Sequence, residues 1–277
     1  MKTEKIFMYL VKYPIITAIS VMIAAPFLWM VITSLKSYSN VMLYPPQWIP
    51  NPVRWMNYVE LFTKQPFHLY LYNSLYIALL VTVGTCFFGA LAGYAFAKIP
   101  FRYRDTLFIL LLSGMMIPAE ITSIPLFIML SKFSLVNTHF PLIVPQMLGA
   151  GGMLGVFLCR QFFITIPLEL DEAAKIDGCN PLRTFWTIML PLATPALSTL
   201  AIITSMHSWN DFFEPLVFLS SSHLFTVPLA LSLFTTESGT EWHMIMAAAT
   251  ISTLPLLLLF FVAQKKFIEG VSMTGLK

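Results

Sequence analysis

Charge is what this sequence has least of. Asp, Glu, Lys and Arg make up 10% of its 277 residues, against about 25% in soluble globular domains. Apolar residues make up 57%, and the mean hydropathy is +0.78. A soluble fold of this length could not hide so many apolar side chains and still present a polar face to water. The scarcity of charge therefore excludes the soluble class and leaves an all-α integral membrane protein. Cysteine is scarce as well. Cys86, Cys159 and Cys179 are odd in number and lack paired spacing, so neither a disulfide framework nor a cysteine metal site is expected. His68, His139, His207, His223 and His243 show no ligand-like spacing. There is no GxxxxGK[ST] phosphate loop, no HExxH and no nucleophile beside a base. The chain is thus read as not an enzyme, with no cofactor, no metal and no nucleic-acid partner of its own.

Long apolar runs are what it has in abundance. A window of about twenty residues finds six spans, near 14–35, 70–97, 106–131, 139–163, 186–210 and 243–264, within one transmembrane domain covering 1–277. Lys2, Lys5 and Lys12 ahead of the first run superficially resemble a signal peptide. The run from Pro14 to Leu35 is too long for one, and no small-residue cleavage site follows. With the N-terminus inside, twelve basic residues fall on inner segments: Lys2, Lys5, Lys12, Lys98, Arg102, Arg104, Arg160, Lys175, Arg183, Lys265, Lys266 and Lys277. Only Lys36, Arg54, Lys64 and Lys132 fall outside. This asymmetry predicts that both termini are cytoplasmic. The outer loop 36–69 contains YPPQWIPNP, which proline keeps out of helix and strand interiors. The outer loop 211–242 carries a polar tip, TTESGTEWH, at 235–243. No repeat relates the two halves, which gives an inverted-repeat carrier no support.

Against this background one cytoplasmic block stands out, ELDEAAKIDGCNPLRTFWTIMLP at 169–191. Pro167 suits a first helical turn, and the acids after it suit the positive end of the helix dipole. Gly178 sits where a left-handed C-cap is wanted. Asn180 and Pro181 suit the N-cap and first position of a second helix. The segment 164–185 therefore reads as a short helix, a sharp turn and a second helix that enters the membrane. Ala173 and Ala174 give the first helix a smooth side, and Asp171 and Lys175 stand at i,i+4. Such a knob fits the cleft of a soluble partner, and it equally fits an ordinary solvated loop.

The order Glu172-Ala173-Ala174, three residues, Gly178, nine residues, Ile188, one residue, Leu190-Pro191 resembles the EAA loop of ATP-binding-cassette (ABC) importer permeases. GVFLCRQFFITIPLELDEAAKIDG, PLATPAL, SWNDFFEPLVFL and QKKFIEGVSMTGLK, with Pro118, Pro125 and Asn137-Thr138, are similar to the carbohydrate branch. They look most like its shorter, six-span maltose-type permease subunit, over roughly residues 10 to 277. The resemblance implies the type I ABC importer permease fold in a bacterial inner membrane. It implies a second permease subunit as heterodimer partner, two cytoplasmic ATPase subunits that bind the ATP, and an extracellular or periplasmic solute-binding protein. It implies that Glu172, Ala173, Ala174, Asp177 and Gly178 couple to the ATPase, and that the solute is an oligosaccharide, another sugar or a related polyol. It further implies that the 235–243 tip enters the binding protein's cleft, and that the tail from Gly270 to Lys277 touches the ATPases. Two positions depart from the pattern. Glu214 replaces a bulky apolar residue before Pro215, and Ser134-Leu135-Val136 replaces a glycine-containing step before Asn137.

The remaining polar residues within the apolar runs are few. Glu120 follows Pro118, whose missing N–H should kink the third span. A lone carboxylate there should face the bundle, a cavity or a partner. It is either part of a translocation path or a structural acid near the outer interface. As a coupling site it would instead mark an ion-gradient-driven secondary transporter, the alternative reading of the whole chain. Asn210 and Asp211 end the fifth span beside Trp209, with Glu214 next. They can serve sugar hydroxyls, or simply cap a helix at an interface. Gly89/Gly93 and Gly151-Gly152/Gly155 permit close helix contact, either internally or at a seam with a second permease.

Overall fold

A computed structural model describes residues 2–236 and 239–275, with side chains from 11 to 236 and 239 to 261 and at Gln264. Two compact units divide the chain, Met1–Phe67 with Leu231–Leu254, and His68–Ala230 with Pro255–Lys277. In hydrocarbon no water satisfies a backbone amide, so each apolar run closes its own hydrogen bonds as helix. Among the described residues, four helical stretches are long and apolar enough to cross a bilayer: Val11–Ser34, Phe67–Lys98, Phe140–Thr165 and Trp242–Phe261. Two bent pairs bring the total to six if each counts as one span.

In the first unit, helix α1 (Lys2–Ser34) begins well before the expected residue 14 and runs straight through Pro14 and Pro26. Residues 11–28 are all exposed, so their apolar side chains have lipid or a partner as solvent. The carbonyls at its C-terminal end are closed by the fully buried Asn57, whose Nδ2 donates to Ser34 O at 2.7 Å and Lys36 O at 2.8 Å. Asn57 lies on α2 (Met56–Lys64), inside a loop expected to be irregular. Proline disfavours helix only around residues 45–52, and the nine residues of α2 lie beyond it. Glu60 anchors α2 by pairing with Arg54 at 2.5 Å and Lys64 at 2.9 Å. Lys36 is buried with its ammonium 4.2 Å from the Trp29 ring centre, and Trp48 meets Trp29 edge-on at 5.2 Å. The polar tip folds as a small hairpin that pairs Thr235 with Thr240 and Thr236 with Gly239. Residues 237 and 238, at its turn, lie outside the described residues.

The second unit is built on α3 (Phe67–Lys98). The third apolar run is two helical pieces, α4 (Arg104–Ser113) with a 3-10 turn ending at Met116, and α5 (Ala119–Lys132), which meet at 96°. Pro118 cannot donate, and Ile117 N–H closes on Gly114 O instead at 3.3 Å. The break puts Glu120 in the first turn of a new helix rather than within a continuous one. The fourth span pairs α6 (Phe140–Leu148) with α7 (Ala150–Thr165). After it come α8 (Leu168–Ile176) and the single turn α9 (Pro181–Thr184). The fifth span passes through a π-turn at Phe185–Met189 and bends by 75° into α10 (Thr194–Asn210). α11 (Phe213–Phe218) follows it, and the last helix, α12, spans Trp242–Gly275. Side chains of the Gly270–Lys277 tail lie outside the described residues.

Glycine sets how closely α3 and α7 approach. A Cβ added at Gly89 would stand 2.9 Å from the Gly155 carbonyl carbon, and one at Gly93 would stand 2.7 Å from Cys159 Cβ. These glycines therefore serve internal packing. Beneath this contact lies a core of Ala90, Tyr94, Cys159, Phe163, Phe185 and Met189. At the other end Asn137 ties two loops together. Its φ of 59° is left-handed, its Oδ1 accepts from the amides of Ser220 at 3.0 Å and Ser221 at 2.9 Å, and its Nδ2 donates to Ser221 Oγ at 2.8 Å. Ser134 is left-handed too, with φ 55°.

Candidate functional site: a short helix pair and an acid pair

The polar block at 169–191 forms two helices around one turn, with Pro167 starting the first, Gly178 ending it and Asn180 capping the second. Pro167 precedes α8 with extended ψ of 142°. At the other end Asp177 N–H donates to Ala173 O at 2.9 Å and Gly178 N–H to Lys175 O at 3.0 Å. Cys179 N–H returns to Ala174 O at 2.9 Å, which requires the left-handed φ of 76° at Gly178. Asn180 Oδ1 then accepts from Arg183 N–H at 2.8 Å and caps α9, with Pro181 at its first position.

The two alanines separate. Ala173 is exposed with Glu172, Asp177 and Gly178, whereas Ala174 is 2% exposed and belongs to the chain's own interior. At about 100° per residue, adjacent positions cannot share one face, and Ala174 instead shares the inner side with Asp171 three residues before it. The structure thus corrects the expectation of a smooth side made by both alanines. It also changes the partner of Asp171. Asp171 Oδ2 lies 2.8 Å from Lys98 Nζ rather than pairing along the helix with Lys175. Lys98 also donates to Ile166 O at 2.7 Å. Its sign and place at the end of a span were legible in the sequence, but its partner, in another element, was not.

Asp211 and Glu214 come together through a residue that sequence reasoning missed. Gln146 Nε2, on α6, donates to Asp211 Oδ2 at 2.7 Å and Glu214 Oε2 at 2.9 Å. Gln146 is the one amide in the apolar run FPLIVPQML, and that isolation was the available signal. Its own Oε1 is buried with no partner among the described residues. Glu214 N–H donates to Asp211 Oδ1 at 3.2 Å, closing the first turn of α11. Both acids follow Asn210, the last residue of their span. Burial, reinforced by the neighbouring Asp211 charge, pushes the Glu214 carboxyl up to about 7. Burial also raises Asp211, partly opposed by the Glu214 amide and by His207. Asn210 does not join them, because its Nδ2 turns back to Met206 O at 2.7 Å. Glu120 is exposed, and no contact links it to the pair among the described residues. An apolar cavity of about 560 Å³, lined by residues such as Leu91, Tyr94, Met153 and Phe185, includes none of the four.

Comparison with known proteins places these features in context. The family model described as "Binding-protein-dependent transport system inner membrane component" matches residues 86–272. The arabinooligosaccharides transport system permease protein AraQ of Halalkalibacterium halodurans is 35% identical over 82% of this chain and 81% of its own. The sulfoquinovosyl glycerol transport system permease protein SmoH of Agrobacterium fabrum is 31% identical over 91% and 88%. The sn-glycerol-3-phosphate permease UgpE of Yersinia pestis is 32% identical over 84% and 85%. The fold is similar to that of a chain in a crystal structure of a bacterial ABC transporter importing the acidic polysaccharide alginate. There the TM-score is 0.79 at 21% identity, over 96% of this chain and 98% of that one.

Proposed function

Because this chain belongs to the family of binding-protein-dependent transport system inner membrane components, we propose that it forms half of the path of an ATP-driven importer for an oligosaccharide, another sugar or a related polyol. Relatives named for arabinooligosaccharides and sulfoquinovosyl glycerol support the solute class. The remaining subunits are a second permease, two ATPases that hold the ATP, and a solute-binding protein on the outer side. The observation that carries the reading is the capped helix α8, whose exposed ridge of Glu172 and Ala173 ends at the Gly178 turn. A helix of nine residues, closed at its C-terminal end by the Gly178 turn, is about 14 Å long and moves as a rod. Force applied to that ridge reaches α9 and the fifth span through the single turn at 177–180. Glu172, Ala173, Ala174, Asp177 and Gly178 act as the coupling segment, with Ala174 seating it from within. Asp211 and Glu214, with Glu120 and Asn210, serve the solute path as hydrogen-bonding groups for hydroxyls.

The test is a crosslink from a cysteine at Ala173, with the three native cysteines replaced, to single cysteines in the cleft of the ATPase subunit. Its yield should change on adding ATP. A folded, assembled complex without any crosslink would sink the coupling role and favour an ion-driven carrier.

A further inference from the structure

Lys98 is the last residue of α3, a helix of 32 residues. At 1.5 Å per residue α3 reaches about 48 Å, well beyond a hydrocarbon core of about 30 Å. Its end therefore has room to stand clear of lipid and meet the cytoplasmic segment. There the ammonium lies 2.8 Å from Asp171 Oδ2, in the first turn of α8, and 2.7 Å from the carbonyl of Ile166, the residue that closes α7. One side chain fastens the ends of three elements. The pair is enclosed, with the Lys98 side chain 4% and the Asp171 side chain 13% exposed. The last turn of α3 is held a second time by Arg160 of α7, whose Nε donates to Phe96 O at 3.3 Å while its Nη2 reaches Asp105 of α4 at 3.3 Å. A continuous polar chain thus joins α8, α3, α7 and α4.

An enclosed ion pair is a poor device for stability, because desolvation offsets most of its Coulomb gain. It is a good device for fixing geometry, since separating the charges leaves each of them uncompensated. Asp171 directly precedes the exposed Glu172, so a displacement imposed on the outer face of α8 is felt one residue away at the pair. We propose that Lys98 is a positioning residue for ATPase coupling, the clasp through which motion of α8 is passed to the cytoplasmic end of α3 as well as along the chain to the fifth span. This inference rests on the coupling role of α8, and it adds a second route, through α3, to the one through α9.

The experiment uses the assembled transporter in proteoliposomes with two readouts. One is the crosslink from Ala173 to the ATPase, which reports docking. The other is the stimulation of ATP hydrolysis by binding protein added on the outer side, which reports communication across the membrane. In Lys98→Met and Asp171→Asn the crosslink should persist while the stimulation falls by about tenfold, within the usual range of coupling factors. The exchange Lys98→Asp with Asp171→Lys should restore a large part of it, which a merely structural defect would not do. Lys98→Arg, which keeps the charge, checks that the position tolerates change. Undiminished stimulation in Lys98→Met would overturn the proposal. So would loss of the crosslink in the single variants and the exchanged pair alike, which would assign Lys98 to loop folding. A wild-type complex lacking the ATP-dependent crosslink would instead overturn the coupling role itself.

Discussion

Glu214 is a lone acid in the first turn of α11, and its neighbours define what it costs. Its carboxyl, ordinarily near 4.5, is raised to about 7, first by burial and then by the charge of Asp211. Gln146 donates to it and opposes the shift, and His207 acts nearby on Asp211. A raised carboxyl means that the folded chain binds more protons than the unfolded chain between these two values, so stability falls as pH rises through that window and levels off above it. Glu214→Gln should flatten that fall. Thermal unfolding of the detergent-solubilised protein from about pH 4.5 to pH 8 checks it, and an unchanged slope in the variant would show that Glu214 ionises freely. Gly93 makes the complementary point about space. A Cβ there meets the backbone N of Arg160 at 2.8 Å, which no rotamer change relieves. Gly93→Ala should therefore force α3 and α7 apart and cost about 1–3 kcal/mol, read as a lower unfolding temperature. Single residues were legible in the sequence when their chemistry was rare in context, as with Glu120 and Glu214. Gln146 and the Lys98 partner of Asp171 were not, because hydrogen bonding across elements leaves no periodicity to read.

Helix ends carry the next level of specification. Proline, glycine and asparagine at 167, 178 and 180 bound two helices, because each residue type answers a backbone need that does not depend on distant packing. That is why the helix–turn–helix of 168–184 was legible. The break of the third span was partly so. Pro118 dictates a lost hydrogen bond, but the 96° angle comes from what the two halves pack against. Pro14 and Pro26 show the contrary case, since α1 passes through both, as the unbroken first run allowed. In lipid no water competes for the backbone, and a helix with a missing bond remains the best available state. Gly178 isolates the backbone contribution, because an added Cβ would meet nothing within 4 Å and only the φ of 76° resists it. Gly178→Ala should destabilise the turn by about 1 kcal/mol, and Gly178→Asn by less, since asparagine tolerates that region. Hydrogen exchange at the amides of Gly178 and Cys179 measures this directly. Equal protection in all three proteins would show that the turn is held by packing alone.

At the scale of the whole molecule, orientation is a statistical property of charge that no single contact expresses. The basic residues put residues 36–69 outside and 164–185 inside, and the coupling role requires the second of these. Both segments offer a reporter without disturbing a core, since Tyr44 is 94% exposed and Ile176 is 86% exposed. Single cysteines at these positions, with the native three replaced, should respond oppositely to a membrane-impermeant maleimide. Tyr44→Cys should label in right-side-out vesicles, and Ile176→Cys only in inverted vesicles stripped of ATPase subunits. Restoring the ATPase should then protect Ile176→Cys, which stands at the C-terminal end of α8, and leave Tyr44→Cys unchanged. Labelling of both from one face would mean an even number of crossings between them, or none, and labelling of both from the outer face would remove α8 from the ATPase's reach. The count matters because four straight stretches and two bent pairs give different parities at each loop. α3 and the α6–α7 stretch lie between Tyr44 and Ile176, so the two fall on opposite faces only if the 96° pair also crosses as one span. A re-entrant pair would return both reporters to the same side, so this single comparison of two cysteines also decides whether the third span is broken or absent.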